Sequence, residues 1–145
     1  MITRIPYFET SRYKVATMVE LSQVEKHSLV ADLGSGDGRI SIAFGGKGAQ
    51  VTGFELNDGF IEKSEKLIDS LSLENNITIQ KKNFWNVNLN SFDIICIYPM
   101  PDIMDLLEIK LLNELRPKTK VITNYYKFPN WKHKEEKNNI YLYVR

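Results

Sequence analysis

The chain has 145 residues, 43% of them hydrophobic, with 19 basic against 18 acidic side chains for a net charge of +1. That length suits one domain with a real core and leaves little room for a separate substrate domain, and the balanced charge lacks the concentrated basic stripe of a nucleic-acid binder, although a local patch stays open. A single cysteine rules out an intramolecular disulfide, no apolar run reaches membrane-spanning length and no secretory signal is visible, so the composition points to a soluble protein of a reducing cytoplasm.

Strand and helix patterns alternate, with no internal repeat and no low-complexity linker, which argues for a parallel sheet wound on both faces. The spacing predicts a helix from Ser11 to Leu21, capped by Thr10 or Ser11, with Val15, Met18, Val19 and Leu21 on its apolar side. A first strand, Ser28 to Leu33, enters the stretch Asp32-Leu33-Gly34-Ser35-Gly36-Asp37-Gly38, and a helix from Gly38 to Phe44 leaves it before Gly45-Gly46-Lys47-Gly48 ends that element. Strand two is expected at Gln50 to Glu55. Asn57 or Asp58 then caps a helix expected to bury Phe60, Ile61, Leu67, Ile68 and Leu71. Strand three is short, Ile77 to Gln80. Strand four, Phe92 to Tyr98, is almost wholly apolar, as a central parallel strand should be, and holds Cys96 as a core thiol rather than a nucleophile. Pro101 opens a helix to about Leu115, Arg116-Pro117-Lys118 makes a turn, and Lys120 to Tyr126 is strand five. The end reads as a hairpin, Trp131 to Lys137 and Ile140 to Arg145, around Asn138-Asn139. Its first arm is very polar and belongs at an edge, or is partly frayed.

The pattern acid-x-Gly-x-Gly-x-Gly between a strand and a helix carries the chemistry. Glycines let the backbone turn tightly and approach a ligand with no Cβ in the way. The turn also presents N–H groups and a helix N-terminus, which favour an anion such as a carboxylate. A dinucleotide fingerprint would need glycine or alanine three places after its second glycine, where this chain has Arg39, so NAD fits poorly. A glycine turn with no ligand is the plain alternative. Glu55 closes strand two some twenty residues beyond the glycines, which is part of a nucleotide-site pattern. A helix-capping or exposed acid is the alternative there. His27 and His133 stand apart, so no metal constellation is read.

Strand, acid and third glycine together resemble the first motif of the class I S-adenosylmethionine (SAM) methyltransferases. The resemblance implies an α/β, Rossmann-like fold: a mainly parallel seven-stranded sheet in the order 3-2-1-4-5-7-6 with helices on both faces. It implies one domain over residues 1–145, made of an N-terminal segment and helix (1–22), a SAM-binding core (28–126) and a terminal hairpin (131–145). SAM would be the methyl donor and S-adenosylhomocysteine the product, with no metal. Gly34, Ser35, Gly36 and Gly38 would cradle the methionine end, and Asp32 would pair, directly or through water, with its ammonium. Glu55 would accept both ribose hydroxyls, and Leu56 would wall the adenine. Asn83 stands where the family usually has an acid facing the adenine amino group; its amide oxygen can still accept, but without charge. Phe84 would offer a backbone N–H to adenine or pack against the ring, while Trp85 is either core or cofactor wall. Tyr98 would lie near the sulfonium methyl and is the one catalytic candidate, with packing at a strand end as its alternative. Ile97-Tyr98-Pro99-Met100 departs from the Asn/Asp-Pro-Pro-aromatic sequence of amino-directed methyltransferases of DNA and glutamine.

Ile5-Pro6-Tyr7 with Thr10 ahead of a helix, the stretch from Asp32 to Ile40, Glu55-Leu56-Asn57, the stretch from Leu112 to Pro117, the stretch from Phe128 to Lys132 and Tyr141-Leu142-Tyr143-Val144 narrow the resemblance. They are similar to segments of the small archaeal broad-specificity protein lysine methyltransferases and of the mitochondrial enzymes that methylate lysine in the ATP synthase c-subunit. This implies methyl transfer to lysine ε-amines of protein partners. Tyr7 and Thr10 would close over the methionine end, and Tyr125, Tyr126 and Trp131 are candidates for the acceptor rim or for packing. No dedicated general base is expected, because a nearby sulfonium and a partly dry channel both lower an amine's pKa. Two other readings stay open: a methyltransferase of nucleic acid or a small molecule, and a SAM-binding subunit without catalysis. No membrane partner is expected, and nucleic acid is disfavoured.

Overall fold

The computed structural model describes residues 11–97 and 100–145. In chain order the elements are α1 (Arg12–Ser22), β1 (Leu29–Leu33), α2 (Arg39–Gly45), β2 (Gln50–Phe54), α3 (Asp58–Ser70), β3 (Ile77–Gln80), β4 (Ile94–Ile97), α4 (Met104–Glu114), β5 (Lys120–Asn124), β6 (Glu135–Lys137) and β7 (Ile140–Val144). One sheet holds all seven strands in the order β3-β2-β1-β4-β5-β7-β6, as the resemblance implies. Strands β1 to β5 pair in parallel, and β7 runs antiparallel to both β5 and β6.

Both sheet faces are covered, which is why the central strands read as continuous apolar runs. Val30, Ile94, Cys96 and Ile122 face the helices α1, α2 and α3, where Met18, Phe44 and Ile68 meet them. Their alternate neighbours Ala31, Leu33, Ile95 and Ile97 pack against Leu107 and Leu111 of α4. Each large apolar side chain so enclosed contributes about 1.5–3 kcal/mol. Cys96 lies wholly inside, as expected of a core thiol.

Local chemistry sets the boundaries. Ser11 Oγ accepts from the Lys14 N–H at 3.3 Å and starts α1. Strand β5 stops at Asn124 rather than Tyr126, because Tyr125 turns into the left-handed region at φ 71°. Asn138 and Asn139 at φ 53° and 61° make the tight turn expected between the last two strands. The polar first arm is shorter than expected: only Glu135–Lys137 form β6, all exposed at the sheet edge. Strand β4 starts at Ile94 rather than Phe92, with Tyr98 outside the described residues, and the helix expected from Pro101 opens as a 3-10 turn over Pro101–Ile103 before α4 begins at Met104.

The expected burial of α3 needs correction. Of its five apolar candidates only Ile68 is buried, together with Ser64; Phe60 and Ile61 are half-buried, and Leu67 and Leu71 are exposed. A Cβ added at Gly38 would sit 2.8 Å from Ser64 Cβ, so the helix docks against the loop along its Ser64–Ile68 line. That docking turns Leu67, roughly 100° round the helix from Ile68, toward water.

Candidate cofactor and acceptor site

Strands β1 and β2 end side by side, with Leu33 paired to Phe54. The Phe54 carbonyl accepts from the Gly34 N–H at 2.9 Å and the Ser35 N–H at 3.0 Å, so the glycine loop begins by folding over the end of β2. Gly34, Gly36 and Gly38 take φ values of 75°, 55° and 86°, a region that residues with a Cβ rarely adopt. Gly53, inside β2, is a supporting residue that sequence reasoning missed. A Cβ there would lie 2.9 Å from Ser35 Cβ and 2.8 Å from Ile79 Cδ1, so its hydrogen makes room for the loop serine. A glycine within a strand pattern was the available signal.

Asp32 closes β1 and is wholly buried. One carboxylate oxygen accepts from Ser41 Oγ at 2.6 Å and from the Ser41 N–H at 3.1 Å, tying the strand to the first turn of α2. The other oxygen, like Ser35 Oγ, is buried with no hydrogen-bond partner among the described residues. Burial pushes the Asp32 carboxyl up to about 6; the hydrogen bonds from Ser41 oppose this, and the charges of Glu55 and Asp37 add to it. An unsatisfied buried carboxylate oxygen beside a glycine cradle suits a ligand that brings an ammonium. Cys96 pairs with Asp32 across the β1–β4 ladder, and burial, then the Asp32 charge, raises its thiol pKa. Ser41 escaped notice because nothing in its local sequence marks a partner nine residues earlier.

Glu55, just beyond β2, reaches back to the loop. Its Oε1 accepts from the Gly36 N–H at 2.8 Å, while Oε2 accepts from the N–H groups of Leu56 at 2.9 Å and Asn57 at 3.0 Å. Leu56 stands beside it, half exposed. Asn57 caps α3 by accepting from the Phe60 N–H at 3.0 Å. Beyond β3, Asn83 is exposed and accepts from the Trp85 N–H at 3.0 Å, capping a 3-10 turn over Phe84–Asn86. The Phe84 ring is buried in the core, which leaves its backbone rather than its ring for a ligand. Trp85 is half-buried against the same cluster, 5.0 Å from the Phe84 ring. An open cleft of about 480 Å³ borders Lys82, Asn83 and Asn86.

Tyr7, Thr10 and Tyr98 lie outside the described residues. At the carboxyl end of β5, Tyr125 is 58% exposed and meets Tyr126 edge to face at 5.1 Å. Lys14 of α1 donates to Asn124 Oδ1 at 3.1 Å and lies 5.8 Å above the Tyr125 ring. Trp131 instead packs on Phe128 at 5.5 Å and Tyr143 at 5.1 Å, and so belongs with the core cluster. Glu108 of α4, buried, accepts from the backbone N–H groups of Asn130 at 2.9 Å and Trp131 at 3.2 Å, which pins the segment after β5. Lys14, Asn124 and Glu108 carried no sequence signal, since each acts across more than 20 residues of chain.

Residues 32–135 match the family model described as the ANTKMT methyltransferase domain. The chain is 31% identical over 155 aligned positions to the protein-lysine N-methyltransferase of Saccharolobus islandicus (strain REY15A), covering 99% of this chain and 95% of that protein. It is 30% identical to the ATP synthase c-subunit lysine N-methyltransferase of Xenopus laevis over 88% of this chain, and spans just over half, 56%, of that relative. Among solved structures, an RNA methyltransferase from Salinibacter ruber in complex with S-adenosyl-L-homocysteine superposes with a TM-score of 0.88. That match covers 94% of this chain and 93% of the other at 22% identity, a likeness of fold.

Proposed function

The chain belongs to the ANTKMT methyltransferase domain family, and we propose that it transfers a methyl group from SAM to the ε-amino group of lysine in proteins. The observation that carries the proposal is the 31% identity, over 99% of this chain, to an archaeal protein-lysine N-methyltransferase of nearly the same length. No observation on the site favours the nucleic-acid, small-molecule or non-catalytic alternatives over it. SAM, when bound, supplies a methyl group already activated by its sulfonium charge. The residues present suit such a molecule: a buried carboxylate oxygen at Asp32 with no partner among the described residues, and an acid at Glu55 beside the loop.

On this proposal Gly34, Ser35, Gly36 and Gly38 hold the amino-acid end, and Asp32 takes its ammonium. Glu55 takes the ribose hydroxyls, Leu56 walls the adenine, and Asn83 and the Phe84 backbone meet its edge. Tyr7 and Thr10 cover the methionine end, and Tyr98 lines the acceptor channel. The protein's main task is alignment, which in favourable cases is worth about 7–11 kcal/mol of barrier. The acceptor amine must arrive neutral, and a partly dry channel lowers its pKa without a dedicated base. We also assign residues 1–145 to one catalytic domain and place the protein in the cytoplasm; no helix among the described residues is long and apolar enough to cross a membrane.

The test is incubation of the protein with methyl-labelled SAM and mixed cell protein, followed by mass spectrometry. Methyl groups on lysine side chains are expected. Label confined to RNA or to small molecules would defeat the proposal.

A further inference from the structure

We propose that the groove between α1, α2 and α3 docks an acidic amphipathic helix of the protein acceptor; the proposal rests on the protein-lysine function above. Helix α2 has seven residues, whereas the flanking α1 and α3 have 11 and 13. Over the short helix opens a groove of about 790 Å³. Ile42 and Ala43 form its floor, Val15, Ala16 and Val19 line one wall, and Leu67 stands on the other. The same turn of α3 that buries Ile68 leaves Leu67 42% exposed here. From Arg12 to Glu20 the α1 wall runs roughly 12 Å, enough for about two turns of a partner helix packed at an ordinary distance.

Charge selects the occupant. Arg12, Lys47 and Lys63 line the groove and make no ion pair among the described residues. The two acids of the lining are engaged: Glu20 with Lys137 at 2.9 Å and Asp37 with Arg39 at 2.6 Å. An apolar floor edged by three cations that have no ion pair among the described residues complements a helix whose apolar stripe is flanked by Asp and Glu. Among the described residues no aromatic side chain lines the groove to stack a base, so single-stranded nucleic acid is less well matched. Among residues 1–10 the single cation Arg4 offsets the single acid Glu9, so that segment carries no net negative charge to match the groove. Asp37 and Arg39 also belong to the glycine loop and the start of α2, so one end of the groove abuts the candidate cofactor site. A helix held there would be anchored beside the glycine loop.

The probe is a fluorescent helical peptide of about three turns, with Leu and Ala along one face, Glu on its flanks and a single terminal Lys. Its control replaces every Glu with Arg. Binding of both to the full chain is read by fluorescence anisotropy, and methylation of the Lys by mass spectrometry. The acidic peptide should bind at least roughly tenfold more tightly than the control, and should weaken as salt rises from about 0.05 to 0.5 M. The triple change Arg12→Glu, Lys47→Glu, Lys63→Glu should raise the KM for the acidic peptide at least roughly tenfold while leaving kcat unchanged. Leu67→Glu should weaken the same peptide without touching the cations.

Equal binding of the two peptides, or unchanged KM in a triple variant with a native circular dichroism melt, would overturn the groove. Tighter binding of a single-stranded RNA, or a dimer in solution that Leu67→Glu dissolves, would also overturn it by naming another occupant. Failure of lysine methylation itself is distinct: no lysine would be labelled in any protein, whatever the anisotropy. Loss of the groove alone would leave wild type and triple variant labelling lysine equally.

Discussion

Replacing Asp32 with Asn should remove a pH-dependent loss of stability. The Asp32 carboxyl is raised from 3.8 to about 6, so the folded state holds its proton more tightly than the unfolded chain between those values. The stability this group contributes is therefore present in full below the unfolded value, falls as pH rises through the window from about 4 to 6, and is absent above it. A shift of about two pH units at 1.36 kcal/mol each makes the swing about 3 kcal/mol. Asn keeps an oxygen for the Ser41 N–H and hydroxyl but carries no charge to desolvate. Urea unfolding of both proteins by circular dichroism at about pH 3.5, 5 and 7 gives the two stability curves. Every other titrating group is common to both, so their difference isolates Asp32. Wild type should lose about 3 kcal/mol relative to Asp32→Asn across the series. A difference constant to within about 0.5 kcal/mol would refute the burial argument. A bound ammonium favours the ionised carboxylate, so SAM affinity should also fall as pH drops through about 6 in wild type and not in the variant.

Glu55→Ala should weaken SAM by at least roughly a hundredfold in calorimetry, since two hydroxyl bonds to an ionised carboxylate contribute about 1.5–3 kcal/mol each; unchanged affinity would move the ribose elsewhere. Gly38→Ala places a Cβ 2.8 Å from Ser64 Cβ on a backbone at φ 86°, and should cost about 2–4 kcal/mol in urea unfolding. A stability within about 0.5 kcal/mol of wild type would mean that α3 does not dock there. Cys96 should resist a thiol reagent in the native protein and react once urea unfolds it; rapid native labelling would contradict its burial.

The strands were legible in the sequence because their punctuation is local, whereas their order in the sheet came from the family resemblance. Three glycines after an acid mark the end of β1, an unbroken apolar run marks β4, and two adjacent asparagines mark the last turn. What escaped depends on how elements meet. The apolar stripe of α3 is visible on a helical wheel, but the close approach of Ser64 to Gly38 decides which edge of that stripe is buried. Likewise Asp32 and Glu55 can be picked out as acids at strand ends. That the first leans on Ser41, and the second on the Gly36 N–H, follows only from the loop's path over β2.

That path bears on how the site would work. A carboxylate offers about four acceptor positions, and three backbone N–H groups already bond to Glu55. Two ribose hydroxyls therefore cannot both be accepted while every present bond is kept; at least one N–H must share or let go. The bonds from Leu56 and Asn57 span one and two residues and come with the local turn. The bond from Gly36 spans 19 residues and is the one joining the glycine loop to the end of β2. On the proposed placement of SAM it is the one to exchange, because the loop would then meet the amino-acid end of that ligand. One side chain would so couple sugar binding to loop position, and Glu55→Ala would loosen the loop as well as lose the sugar.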